Sequence, residues 1–191
     1  MAGRCEMKEQ PKTLASPSVR LVNNIHRATG NQYSDQKEIV DVLEGQFAVD
    51  KVKTMAVEGM TSLAALDLSI VKRRVVLETG WSHKIADYAE LRYRRFLCMR
   101  LINPQLMLVP PPDIDAFWHQ HILFTKKYAQ DCEAFFGEFM HHAPASGEES
   151  EAAMLQQHAL DTARFYAEAF GEHYYAAEPE GIASNWLELL V

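Results

Sequence analysis

Residues 110–121 read PPPDIDAFWHQH, and this stretch decides the fold that we expect. Three prolines set the start of a helix. Asp113 then suits its N-cap, because a carboxylate accepts hydrogen bonds from the free amides of a first turn. No further glycine or proline follows until Gly137. The sequence therefore predicts one central helix over 113–136.

Four further stretches carry apolar residues at helical spacing, at about 35–50, 61–78, 83–101 and 149–170. Gly59 precedes the second of these, Gly80 and Ser82 separate the second from the third, and Asn103-Pro104 ends the third. We therefore expect an all-α, bundle-like single domain of four to five principal helices over 35–191. A loosely ordered N-terminal segment is expected over 1–34, where prolines and a glycine interrupt every pattern.

The composition limits the classes of partner and compartment. A net charge of −7 disfavours nucleic acid or an anionic membrane as partner, since both need clustered Lys and Arg. The run from Arg92 to Arg95 lies within a helical pattern and is expected on a solvated face. Cys5, Cys98 and Cys132 are too scattered for a disulfide framework, which indicates a cytoplasmic protein. The start of the chain lacks a secretory signal, and no window approaches about 18 consecutive apolar residues, so we expect no membrane span.

Helix geometry separates the two histidines of the quoted stretch. At about 100° per residue, one face of the central helix is expected to be buried. It carries Ile114, Phe117, His121, Thr125, Tyr128, Cys132 and Phe135. His119 lies about 160° away from His121 around the same helix. A regular helix cannot direct both rings at one ion, so either the helix breaks here or the two histidines have different roles.

A divalent transition metal, zinc or iron, is the first functional hypothesis, because imidazole and carboxylate are ligands that suit both. Its ligands would be Asp115, His119, His121 and one or both of His141 and His142. A catalytic site of this kind keeps a coordination position open. The sequence indicates neither a substrate nor a reaction, so enzyme activity is left open.

Three side chains farther along the helix are candidate catalytic residues. Tyr128 or Asp131 would orient groups or transfer protons beside a metal. Cys132 would act as a nucleophile with His141 or His142 as its base, which requires a lowered thiol pKa. A small buried hydrophobic residue is the alternative interpretation of Cys132.

A non-catalytic interaction module is the alternative function. The Asp, Trp and His residues would then form a buried hydrogen-bonded network that fixes helix packing, while another surface binds a protein partner. The apolar C-terminal tail, Trp186 to Val191, is expected to dock on its own domain or to join a second copy in a homo-oligomer. The sequence does not distinguish a small-molecule partner from a protein partner.

The stretch 89–144 resembles the glycine-rich domain-containing protein-like family, which includes short bacterial proteins. The resemblance rests, in order, on Tyr93-Arg94-Arg95-Phe96-Leu97, Leu108-Val109-Pro110, Asp113-Ile114-Asp115, Trp118-His119-Gln120-His121, Tyr128, Asp131-Cys132, Phe136-Gly137 and His141-His142-Ala143-Pro144. It implies no settled activity, although the shared motif favours the metal hypothesis. Phe124 stands where bacterial relatives often have an aspartate, and the chain, with 9 glycines, has no glycine-rich tail. If that aspartate is a metal ligand or a base in relatives, this chain lacks its carboxylate, because Phe124 stands in its place.

Overall fold

The structure, a computed structural model, describes residues 34–175. These residues form six α-helices and no strand, which confirms the predicted all-α, bundle-like fold. The predicted loosely ordered segment over 1–34, apart from Ser34, lies outside the described residues. The same holds for the apolar tail from Trp186 and for the homo-oligomer predicted through it.

The helices are, in chain order, α1 Ser34–Leu63, α2 Ser69–Thr79, α3 His83–Ile102, α4 Pro112–Leu123, α5 Thr125–Phe136 and α6 Glu149–Phe170. Contacts between residues divide the chain into Met1–Asp50 and Lys51–Val191. The packing described below concerns the second unit, in which α4 contacts α2, α3 and α5, and α6 contacts α3. Helix α4 is thus the element on which its neighbours pack. The predicted domain boundary between residues 34 and 35 stays a prediction.

Aromatic rings join α4 to α3. The ring centroids of Phe117 and Tyr93 lie 5.2 Å apart, and those of Trp118 and Phe96 are also separated by 5.2 Å. All four side chains are buried. Burial of one such ring contributes about 1.5–3 kcal/mol, so these four rings are a principal source of stability for the α3–α4 contact.

Several helix ends lie where the sequence predicts them. Ser82 caps α3, its side chain accepting a hydrogen bond from the Ile85 amide at 3.3 Å. Asn103 is the residue at which α3 ends. Gly80 and Gly137 both have a φ of 70° and end α2 and α5 in the left-handed conformation that glycine adopts without strain. These boundaries are confirmed because local backbone chemistry sets them.

Gly59 was expected to precede a separate helix, but α1 runs through it to Leu63. A Cβ atom at position 59 would lie 2.7 Å from Cys98 Sγ and 3.2 Å from Ile102 Cγ2. Glycine is therefore needed where α1 passes close to α3. The chain instead leaves the helical conformation after Leu63, ahead of α2.

Phe124 breaks the predicted central helix into α4 and α5. Its backbone has φ −82° and ψ 59°, and its amide donates to the carbonyl of His121, three residues earlier, at 3.1 Å. The prediction of one uninterrupted helix over 113–136 is wrong at this residue. Thr125, predicted on the buried face, is exposed, whereas Ile114, Phe117, His121, Tyr128 and Cys132 are buried as predicted.

Asp113 does not cap α4. The N-cap is Pro111, without a side-chain bond, and Asp113 instead forms a buried ion pair with Arg92 of α3. The guanidinium donates to both carboxylate oxygens, at 2.5 and 3.1 Å. The expectation that Arg92 to Arg95 form a solvated face is therefore wrong for Arg92. Arg94 is also half-buried, and its guanidinium donates to the carbonyls of Leu63 and Leu66.

None of the helices within residues 34–175 combines the length and apolar character that a membrane crossing needs.

Candidate metal centre

Asp115, His119 and His142 each bring one potential ligand atom into a group whose atoms all lie within 4.8 Å of one another. His142 Nε2 lies 2.9 Å from Asp115 Oδ1, and His119 Nε2 lies 3.7 Å from the same oxygen. The imidazole centroids of His119 and His142 are 4.6 Å apart. Two imidazoles and one carboxylate thus share a small volume, and we call this group the triad.

The triad is assembled from α4 and from the loop that joins α5 to α6. Asp115 and His119 are four residues apart on α4 and therefore share one face of that helix. His142 comes from the loop, 27 residues after Asp115. Its ring packs against Trp118 of α4, with centroids 4.4 Å apart and planes at 64°. Helix α4 thus provides two members of the triad and the ring that contacts the third.

The three members differ in their contact with solvent. The exposed fraction of the side chain is 51% for His119, 33% for Asp115 and 15% for His142. The group can therefore be reached from solvent, while Trp118 covers part of His142.

The triad has dimensions that suit a transition metal. Such an ion binds imidazole nitrogen at about 2.0–2.1 Å and carboxylate oxygen at about 2.0–2.2 Å, so two of its ligands lie roughly 3 Å apart. His142 and Asp115 already have this separation. His119 Nε2 lies 3.7 Å from Asp115 Oδ1, and the three ligand atoms lie within 4.8 Å of one another, so the side chain of His119 has to rotate toward the other two to complete the set. A set of two imidazoles and one carboxylate suits zinc or iron.

His121 lies on the opposite side of α4 and is buried. Its Nδ1 lies 2.9 Å from the Tyr93 hydroxyl, and its Nε2 lies 2.8 Å from Asp131 Oδ2. Burial lowers the pKa of His121 below its ordinary value of 6.5, and the hydrogen bond with Asp131 offsets part of that effect. A neutral ring satisfies both contacts when Nε2 donates to Asp131 and Nδ1 accepts from Tyr93. The predicted separation of His119 from His121 is confirmed.

His141 is exposed, although it is the neighbour of His142, and its ring lies 4.9 Å from that of Phe139. The structure thus brings together three of the five predicted ligands. His121 and His141 are not members of the triad, and their role as ligands stays a prediction that the described geometry does not support.

Tyr128 and Cys132, two of the predicted catalytic residues, are buried in α5. The Tyr128 hydroxyl accepts from Trp118 Nε1 at 2.8 Å and donates to the Met140 carbonyl at 2.5 Å. Burial raises the pKa of the Cys132 thiol, although a backbone hydrogen bond from Met140 acts in the opposite direction. Because a nucleophilic thiol needs a lowered pKa, this environment opposes the thiol-enzyme hypothesis.

Asp131, the third predicted catalytic residue, is half-buried and joins His121 to Lys127. Its Oδ2 atom lies 2.8 Å from His121 Nε2 and accepts from Lys127 Nζ at 2.9 Å. Asp131 therefore belongs to the buried network around His121, on the side of α4 away from the exposed His119.

In the structural alternative Trp118 belongs to the buried network, and Met140 has no predicted role. Trp118 could have been found from its position, since it follows Asp115 by three residues on the same helix and precedes His119. Met140 contributes backbone groups, which every residue has, so no sequence signal marks it.

The model of the UCP032817-like family matches residues 65–172, which is more than half of the chain and extends from before α2 to beyond the end of α6. No curated protein and no solved structure matches the chain. The family match overturns the resemblance to the glycine-rich domain-containing proteins, which is therefore wrong. That resemblance rested on short motifs within 89–144, about half of the matched range.

Proposed function

The chain belongs to the UCP032817-like family, and we propose that it binds a divalent transition metal, zinc or iron, through Asp115, His119 and His142. The observation that carries the proposal is the approach of three ligand atoms of suitable type to within 4.8 Å. Asp115 and His119 come from a helix that neighbouring helices hold in place, so two of the three ligands have fixed backbone positions.

An ordinary aspartate–histidine hydrogen bond would need only one of the two imidazoles. His142 makes that bond with Asp115 at 2.9 Å. His119 Nε2, at 3.7 Å, is beyond hydrogen-bond distance from the carboxylate. The spacing of four residues along α4 alone brings His119 near Asp115, so the feature that favours a metal site is the addition of His142 from a distant loop to this pair.

Three protein ligands leave at least one coordination position for water or a substrate atom, as in catalytic metal sites. A metal held in this way would lower the pKa of a coordinated water and would act as a Lewis acid. We therefore propose a metal-dependent enzyme or maturation factor, with the solvent-accessible side of the triad as its reactive side.

Metal analysis of protein purified without an affinity tag tests the proposal. After loading with Zn²⁺ or, without oxygen, Fe²⁺ and removal of excess, the wild type should retain about one equivalent. Asp115→Asn, His119→Ala and His142→Ala should each lose most of it. His141→Ala is the matched control, because it removes the adjacent imidazole outside the triad, and it should bind as the wild type does.

Two results would oppose a metal site at the triad. One is a wild-type content below about a tenth of an equivalent after loading. The other is an equal loss of metal in His141→Ala and His142→Ala, which would move the ligand role away from the triad. Far-UV circular dichroism of every variant separates loss of a ligand from loss of the fold.

A non-catalytic module is the second candidate, and the buried contacts of His121 favour it. The Tyr93–His121–Asp131 network joins α3, α4 and α5 and has the form of a structural network. Under this proposal His121→Ala lowers the free energy of unfolding, and no variant of the triad changes any activity. A metal-loaded wild type whose activity disappears in His119→Ala would decide against it.

A further inference from the structure

We propose, resting on the proposed function, that Tyr128 and Trp118 are positioning residues that hold His142 at the metal. Neither side chain would touch the ion. Both act on the loop over 137–148, which carries His142 between α5 and α6.

This loop meets the rest of the protein through few side chains. Among residues 137–148, Met140 is buried and His142 is half-buried, and every other residue is exposed. Glu138 also pairs with Arg100 and Phe139 packs against Tyr128, so Met140 and the His142 ring are the contacts of the loop that lie nearest to the ligand.

Helix α5 holds the backbone of Met140 at its carbonyl. The Tyr128 hydroxyl donates to the Met140 carbonyl at 2.5 Å. His142 follows two residues later, and two residues span at most about 7 Å, so anchoring Met140 confines His142 to the region of the triad.

Trp118 connects this anchor to the ring of His142. Its Nε1 donates to the Tyr128 hydroxyl at 2.8 Å, and its ring contacts His142 with centroids 4.4 Å apart. A hydroxyl has a single proton, so a Tyr128 that accepts from Trp118 is left with its own proton for the Met140 carbonyl. Trp118 thus orients Tyr128 and also packs against the ligand that Tyr128 positions.

Displacement of His142 should lower the affinity for the metal, because residues that orient metal ligands typically contribute 10–100-fold to that affinity. Tyr128→Phe removes the hydroxyl while keeping the ring. We expect the Kd for Zn²⁺, measured by competition with a chromophoric chelator, to rise about 10-fold or more. The absorption spectrum of bound Co²⁺ should change with it, since it reports the geometry of the ligands.

Tyr93→Phe is the matched control. It also removes one buried tyrosine hydroxyl, but that hydroxyl contacts His121 rather than the loop. We expect its Zn²⁺ affinity to stay within about threefold of the wild type, although both variants lose stability. Trp118→Phe removes the hydrogen-bond donor to Tyr128 and should also raise the Kd for Zn²⁺. It serves as the test variant if Tyr128→Phe does not fold.

Each outcome decides a different point. Tight Zn²⁺ binding by the wild type and equally tight binding by Tyr128→Phe would overturn the positioning role and leave the metal site intact. Equal weakening by Tyr128→Phe and Tyr93→Phe would also overturn it, because general loosening would then explain both. A wild type without Zn²⁺ binding removes the proposed function and this inference together. Faster hydrogen exchange of the loop amides in metal-free Tyr128→Phe, but not in Tyr93→Phe, supports the anchor independently of the metal.

Discussion

Replacing Asp113 by Asn should destabilise the protein strongly, because it leaves the charge of Arg92 buried without a counter-charge. The exposed fraction is 3% for the Arg92 side chain and 0% for that of Asp113. The guanidinium also lies 5.6 and 5.8 Å from the ring centroids of Tyr88 and Tyr174. It is therefore enclosed by aromatic rings and has little access to water.

Removal of one partner from a buried ion pair costs about 3–5 kcal/mol. Both members of this pair are almost fully buried, so we expect the loss for Asp113→Asn to fall within that range. For a chain of this size about 1 kcal/mol shifts Tm by 2–4 °C, so Tm should fall by roughly 6–20 °C. The loss is a large share of a total stability that is usually about 5–15 kcal/mol.

Urea unfolding followed by far-UV circular dichroism measures this change. Glu78→Gln is the control, since it breaks the exposed Arg74–Glu78 pair and should change stability by only about 0.5 kcal/mol or less. The apolar double variant Arg92→Met with Asp113→Leu should recover most of the loss, because no buried charge remains. An Asp113→Asn protein within about 1 kcal/mol of the wild type would refute the argument from burial.

Three further changes test other parts of the fold. Gly59→Ala should lower the free energy of unfolding by roughly 1–2 kcal/mol, because the clash of the added Cβ with Cys98 outweighs the gain in helix propensity. Adding Cys98→Ala to that variant should recover part of the loss, as measured by thermal melts. The lowered pKa of His121 means that the unfolded chain binds a proton at this residue before the folded protein does. The free energy of unfolding should therefore decline as the pH falls below about 6.5, with a contribution from His121 of at most about 1.4 kcal/mol per pH unit. The variant His121→Gln should flatten that part of the curve of stability against pH. Native Cys132 should react with iodoacetamide far more slowly than the unfolded chain, because burial raises its pKa, and equal rates would contradict its buried position.

Features that depend on neighbours in sequence could be predicted. The cap at Ser82 and the glycine ends at Gly80 and Gly137 follow from backbone geometry within a few residues. The opposed directions of His119 and His121 follow from the angle per residue along one helix. In each case the chemistry that decides the structure lies inside the segment itself.

Features that depend on residues distant in sequence could not be predicted. Gly59 has the properties of a helix breaker until Cys98 of α3 is placed against it. Asp113 has the properties of an N-cap until Arg92, 21 residues earlier, is found beside it. The break at Phe124 lies in a stretch without glycine or proline, and local sequence gives no sign of it.

The candidate site was predictable in kind rather than in membership. Residue types pointed to imidazole and carboxylate ligands, and the triad has that composition. The selection of His142 over His141 depends on which side chain of the loop turns toward Trp118. Two adjacent histidines are equivalent in a sequence, and only the path of the loop distinguishes them.

The triad and the anchor of its loop all lie within one continuous segment, from Asp115 to His142. Contacts between residues close in sequence form early in folding, because closing a short loop costs little chain entropy. A metal bound at the triad would therefore tie α4 to the loop over 137–148 at little further cost in chain entropy.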